Sequence, residues 1–140
     1  MATLESAIQL AAEAHSGQQD KAGKPYILHP IRVMLSVSTT DEQIAAILHD
    51  TVEDTSVTFE QLSEAGFSAE IISAVRALTK LDGESRVDAA RRAAKHPIAR
   101  QVKLADVKDN LDISRIPHLT DKDHARLDEY KLVQEILMTC

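Results

Sequence analysis

Apolar residues recur along this chain every three or four positions, the period of α-helices that pack by one face. The first stripe is Leu4, Ala7, Ile8, Ala11 and Ala14. It yields to a polar loop from His15 to Tyr26, punctuated by Gly17, Gly23 and Pro25. His29-Pro30 then opens a second helix, with Pro at the first position, where its missing N–H costs nothing; Ile31, Val33, Met34 and Leu35 follow for packing. Thr40-Asp41-Glu42-Gln43 has the Thr-x-x-Gln form of a capping box and starts a helix that carries residues 45–55. Thr58-Phe59-Glu60-Gln61 repeats that signal, and Ser68 caps a further stripe of Ile71, Ile72, Val75 and Leu78. Residues 84–95 read as a polar, Ala-rich helix. His96-Pro97 marks a boundary, followed by Ile98, Val102 and Ala105 on one face. Thr120 caps a last helix with Leu127, Tyr130, Val133 and Leu137 along its stripe. With no strand alternation or repeat, the pattern predicts an all-α fold: seven or eight helices in one compact domain over residues 1–140, joined by the short loops of a bundle.

Composition sharpens this. Aromatic residues are only 3% and Trp is absent, so the core must be aliphatic and Ala-rich. Four Gly and four Pro are too few for a many-stranded protein with tight turns. The formal charge of −6 argues against nonspecific binding to nucleic acid or anionic membranes, so a phosphate-bearing ligand needs a metal or a local cluster of Lys and Arg. The single cysteine, Cys140, permits no internal disulfide, and no signal peptide or spanning segment is apparent. A cytoplasmic protein is expected.

Candidate chemistry centres on Leu48-His49-Asp50-Thr51-Val52-Glu53-Asp54. On a continuous helix, residues three and four apart share a face, which stacks His49 and Asp50 against Glu53 and Asp54. Chance alone supplies about half of one His-Asp pair in a chain of this composition, so the weight falls on further ligands. His29 starts the preceding helix, and Asp106 follows Leu104-Ala105 on a face that looks buried, where a carboxylate is costly unless paired or metal-bound. His29, His49, Asp50 and Asp106 form the candidate ligand set for a divalent ion. Glu53 and Asp54 lie one turn on, suited to orienting or deprotonating an attacking water. His15, His96, His118 and His124 lack such company. Arg91, Arg92, Lys95, Arg100 and Lys103 make a local basic excess; for Arg91, Arg92 and Lys95 a solvated face is the simpler reading.

The ordered series His15-Ser16-Gly17-Gln18, Gly23-Lys24-Pro25-Tyr26-Ile27-Leu28-His29-Pro30, Leu48-His49-Asp50-Thr51-Val52-Glu53-Asp54-Thr55, Leu78-Thr79-Lys80-Leu81 and Val102-Lys103-Leu104-Ala105-Asp106 with Asn110 resembles the HD-domain phosphohydrolases. Within them it resembles the hydrolase domain of RelA/SpoT-type proteins and the small alarmone hydrolases. That resemblance implies an HD fold binding one Mn²⁺ through His29, His49, Asp50 and Asp106. It also implies removal of the 3′-pyrophosphate from guanosine penta- or tetraphosphate or adenosine analogues. Glu53 and Asp54 match the pair that positions the water. Lys21, Lys80 and Asn110 fall on positions associated with nucleotide binding or site organisation, and Tyr130 matches a substrate-contacting Tyr. The expected partner is a small nucleotide, with no nucleic acid or membrane, and oligomeric state stays open.

Two departures stand out. The family's Arg-Lys pair after Gly-Gln is here Asp20-Lys21, which opens the question of base preference. The usual Ala-Asp-Arg-Leu-His-Asn run is here Ala105-Asp106-Val107-Lys108-Asp109-Asn110, which changes the charge of the pocket edge. The alternatives are an HD phosphatase on another nucleotide such as NADPH, and a non-catalytic nucleotide-sensing module.

Overall fold

The structure, a computed structural model, describes residues 2–116 and 118–139; Pro117 and Cys140 lie outside the described residues. The elements are α1 (Leu4–Ala14), α2 (Leu28–Leu35), α3 (Thr40–Leu48), α4 (Thr51–Asp54), α5 (Phe59–Glu64), α6 (Ala69–Leu78), α7 (Arg86–Ala94), α8 (Pro97–Leu111) and α9 (Asp121–Thr139). Among the described residues eight are true helices and α4 is a single turn of 4 residues. Among the described residues the only β-pairing is an isolated bridge between Gln19 and Pro25. The expectation of an all-α fold holds. No helix of the described residues is long and apolar enough to cross a membrane.

Helix starts follow local chemistry. Thr58 and Gln61 form the predicted capping box, and the Ser68 hydroxyl accepts the Ile71 N–H. The box at α3 sits one residue earlier than the sequence suggests. Thr39, not Thr40, holds the extended backbone of an N-cap (φ −91°, ψ 158°), and Glu42 is its reciprocal partner. Helix α2 likewise begins at Leu28, so Pro30 falls third, still within the first turn, where no backbone N–H has an intrahelical acceptor. His96 caps α8 through its ring, which accepts the Ala99 N–H.

Packing is organised by α3, whose residues Ile44 to Leu48 are all buried. One side, with Ile47 and Leu48, meets Ala7 and Ala11 of α1, Leu62 of α5 and Ile71 and Val75 of α6. The other, with Ala45 and Ala46, meets Val33 of α2 and Ile98, Val102 and Ala105 of α8. The small alanines let α3 and α8 approach closely. A third cluster joins Ala90, Val107, Val133 and Leu137, seating α7 and α9 on the far side of α8. The start of α2, the end of α3 and the middle of α8 therefore converge.

Candidate metal centre

The continuous helix expected over residues 45–55 breaks at His49-Asp50. The His49 ring donates from Nδ1 to the Ala46 carbonyl (2.5 Å), and the Thr51 hydroxyl donates to the Leu48 carbonyl (2.8 Å). Those carbonyls would otherwise accept the N–H groups of Asp50 and Val52 in the α-helical ladder. Asp50 then takes a bridge-region backbone (φ −101°, ψ −1°) before α4 resumes. The break turns His49 Nε2 inward and sets Asp50 beside it, so the simple face-sharing drawn from helical spacing does not apply across it.

His29 enters from the first turn of α2 and Asp106 from α8. His29 Nε2 lies 2.9 Å from Asp106 Oδ1 and 3.8 Å from Asp50 Oδ2, and His49 Nε2 lies 3.0 Å from Asp50 Oδ2 and 3.5 Å from Asp106 Oδ1. All four proposed ligands are thus brought together. His29, His49 and Asp50 can offer ligand atoms mutually within 4.8 Å. Asp106 also pairs with Lys103 Nζ (2.8 Å) and accepts from Asn110 Nδ2 (3.2 Å). Tyr26 donates its hydroxyl to Asp50 Oδ2 (2.5 Å).

The donor set fits a divalent cation. His49 is buried and, among the described residues, its Nε2 makes no hydrogen bond, although Asp50 Oδ2 lies 3.0 Å away. With Nδ1 committed to a carbonyl, the neutral tautomer aims its Nε2 lone pair at the carboxylates, the second-sphere arrangement usual for histidine ligands. Burial alone would lower the pKa of both histidines. For His29 the hydrogen bonds to Asp106 and Asp109 outweigh it, and for His49 the Asp50 and Asp106 charges do, so both sit above the ordinary value. Burial likewise favours the neutral acid at Asp106, yet Lys103 and the two imidazoles hold it well below the ordinary carboxylate value. A buried cluster that holds positive charge this firmly suits a cation exchanged for protons.

The centre opens on a cavity of about 480 Å³ whose walls include Lys21, Glu53, Asp54, Lys80, Asn110 and Tyr130. Glu53 Oε1 accepts the backbone N–H of Lys80 (2.8 Å), tying α4 to the loop after α6. The Asp54 carboxylate makes no hydrogen bond among the described residues. Partial burial, then the nearby Asp50 and Glu53 charges, push its carboxyl up to about 6. Lys80 Nζ donates to the Glu84 carbonyl, Lys21 is ion-paired with Asp123, and Tyr130 lies under the Arg86 guanidinium at 5.2 Å.

Comparison with known proteins agrees with this geometry. A family model described as the HD domain matches residues 7–120. The chain belongs to the HD-domain family. The relatives of this HD domain include a zebrafish (Danio rerio) guanosine-3′,5′-bis(diphosphate) 3′-pyrophosphohydrolase, MESH1, 39% identical over 128 residues and covering 81% of this chain and 71% of the relative. An Aquifex aeolicus enzyme of the same activity name is 32% identical, covering 77% of this chain but 17% of its own length. A Myxococcus xanthus GTP pyrophosphokinase is 30% identical, covering 92% and 19%; the chain thus spans under a fifth of these longer relatives. A solved structure described as a metazoan ortholog of SpoT that hydrolyses ppGpp superimposes with a TM-score of 0.82 at 27% identity, covering 99% of this chain and 87% of that one.

Sequence reasoning missed several residues. His15 is buried; its Nδ1 meets Gln18 Oε1 (2.9 Å), its ring lies 5.1 Å from that of Tyr26, and Gln18 donates to the Asp54 carbonyl (3.1 Å). His15 lacks the company of the His49 cluster in the linear sequence and gains a polar partner when the Gly17 turn folds back. Of the local basic excess only Lys103 lines the cavity; Arg32, Arg86 and Arg126 line it as well. Arg92 binds Glu84 and the Arg76 and Thr79 carbonyls instead of projecting into solvent. Asp20 Oδ1 accepts the N–H groups of Ala22 and Lys24 (2.9 Å each), an Asx-type turn that gives the acid at this position a structural task.

Proposed function

We propose that this HD domain, acting as one unit in the cytoplasm, is a Mn²⁺-dependent hydrolase that removes the 3′-pyrophosphate from (p)ppGpp-like nucleotides. The observation that carries the reading is the buried, unpartnered His49 Nε2 facing Asp50 and Asp106, directly below a cavity whose rim holds a carboxyl raised to about 6. The printed activities of the relatives and of the structural neighbour support the substrate class.

His29, His49, Asp50 and Asp106 would hold the ion, which when bound neutralises phosphate charge and makes a nearby water more acidic. Asp54 is the general base: its carboxyl makes no hydrogen bond among the described residues and, pushed up to about 6, is close enough to neutrality to accept a proton during turnover. Glu53 has an oxygen committed to the Lys80 N–H, so it acts by fixing the loop that presents Lys80. Lys21, Lys80 and Tyr130 line the space a nucleotide would fill. In the reaction, water adds to the phosphorus attached to the 3′ oxygen as Asp54 takes the water's proton; the 3′ O–P bond breaks with its electron pair going to the 3′ oxygen, which takes up a proton to become the 3′-hydroxyl as pyrophosphate is released.

The test is a Mn²⁺-supplemented assay over guanosine and adenosine 3′-pyrophosphates and NADPH, with products identified. Pyrophosphate release that stops with chelator and in Asp106→Asn is expected. Phosphate release from NADPH alone would reassign the substrate, and turnover that survives metal removal would refute the mechanism.

A further inference from the structure

Both ring nitrogens of His29 are held by carboxylates from α8. Nε2 meets Asp106 (2.9 Å) and Nδ1 meets Asp109 Oδ2 (2.6 Å). Residues three apart on a helix share a face, so successive turns of α8 grip the imidazole from its two sides. Asp109 is itself clamped. Arg32, one turn along α2 from His29, donates from Nε to Oδ1 (2.8 Å) and from Nη2 to Oδ2 (3.1 Å). Arg115 reaches the Asp109 carbonyl (3.3 Å). The Asp109 side chain is only 12% exposed, and the Arg32 guanidinium occupies both of its oxygens. A carboxylate gripped in this way presents only acceptor oxygens to the imidazole.

We propose that Asp109, clamped by Arg32, is a positioning residue for His29. By accepting the Nδ1–H it selects the tautomer whose Nε2 lone pair faces Asp50 and Asp106, and it stops the ring from turning. Deprived of it, the imidazole can carry its proton on either nitrogen, and Nε2–H is the wrong form for a ligand. A carboxylate behind a histidine ligand also raises the basicity of the ligating nitrogen. The inference uses a residue that departs from the family's usual run, where position 109 is a His, and it rests on the metal-centre reading above.

The test measures Mn²⁺ binding to chelator-stripped protein by titration calorimetry, with thermal melts alongside and no substrate present. Loss of such an outer partner typically weakens metal binding by about 10- to 100-fold. Asp109→Ala is expected toward the upper end, and Asp109→Asn, whose amide oxygen can still accept the N–H, toward the lower. Arg32→Met is expected to weaken binding by a smaller factor and to add nothing on top of Asp109→Ala, since it acts through that residue. A purely structural Asp109 would lower the melting temperature but leave the Mn²⁺ affinity of folded Asp109→Ala within twofold of the parent, and that result overturns the proposal. If the alanine variant does not fold, Asp109→Asn and Arg32→Met carry the test, with unchanged affinity in both as the refuting outcome. A parent chain that takes up no Mn²⁺ overturns the metal-centre reading and this inference together; a parent that binds beside variants that bind equally well overturns only this one.

Discussion

Replacing Asp54 with Asn should sharply reduce turnover and at the same time make the metal-free protein more stable. The Asp54 carboxylate has no hydrogen bond to lose, and it faces the Asp50 and Glu53 charges. Its rise from 3.8 to about 6 corresponds in full to about 3 kcal/mol of disfavoured ionisation. Asp54 is exposed at the cavity rim, so solvent screening reduces that to on the order of 1 kcal/mol. The folded state holds the proton more tightly than the unfolded chain, so this residue's contribution to stability falls as pH rises from about 3.8 to about 6. The asparagine variant escapes that loss. In chelator at pH 7.5 it should melt about 3 °C above the parent, and the gap should close by pH 4. With Mn²⁺ and substrate, loss of the base should cost about 10²- to 10⁴-fold in kcat. A carboxyl carbon resonance of Asp54 titrating near 6 in the metal-free protein would confirm the cause. An Asp54→Asn variant that melts below the parent at pH 7.5 would refute the reasoning, because it would make Asp54 a stabilising cap and not a strained base.

Arg92→Ala should destabilise the domain by about 1–3 kcal/mol and raise KM more than it lowers kcat, because Arg92 ties the Lys80 loop to Glu84 and the Thr79 carbonyl. Arg92 first, then the Leu81 N–H, hold the Glu84 carboxyl at about 2 against an ordinary 4.5. That support is present above about 4.5 and fades toward 2, so acid melts of parent and variant should converge there. Thr39→Ala should cost about 1 kcal/mol of stability and Thr40→Ala close to none, measured by urea unfolding; the reverse order would return the cap of α3 to Thr40. Asp20→Asn should keep the loop's two backbone bonds and the parent's stability, whereas Asp20→Arg should lose both and cost about 1 kcal/mol. Equal stability of the two variants in urea would remove the turn-holding role.

The helical elements were legible because their signals are local. Capping residues, apolar stripes and Pro-marked boundaries need only a few neighbours, and the one-residue error at Thr39 arises because two adjacent threonines both have an acidic or amide residue three positions on. The set His29, His49, Asp50 and Asp106 was legible from the helical placement of His29 beside His49-Asp50, from a costly carboxylate at Asp106 on a buried-looking face, and from the ordered motif series that resembles the HD-domain family. What stayed hidden depends on backbone detail or distant pairing. The break at His49-Asp50 comes from side chains capturing the Ala46 and Leu48 carbonyls, which spacing cannot reveal. Asp109 behind His29 joins residues 80 positions apart, and Arg92 looks solvent-facing until the loop at Glu84 folds over it.

The same pairings bear on how a protein of net charge −6 would receive the polyanion proposed as its substrate. Seven acidic and seven basic residues line the cavity, so its wall is formally neutral and the excess negative charge lies elsewhere. Most of those cations are already engaged: Lys21 and Arg126 with Asp123, Arg32 and Arg115 with Asp109, and Lys103 with Asp106. A phosphate must therefore compete with a carboxylate for each of them, which makes the wall by itself a poor attractor of nucleotides. A divalent ion at the histidine–aspartate centre would change that balance, because, exchanged for buried imidazole protons, it would offer phosphate oxygens a cation not already claimed by a wall carboxylate, in a low-dielectric setting where charge counts for more than in water. Nucleotide affinity should then depend on the ion itself. On this argument the metal assembles the binding site as well as the reaction, and the residues that fix its ligands govern KM as much as kcat.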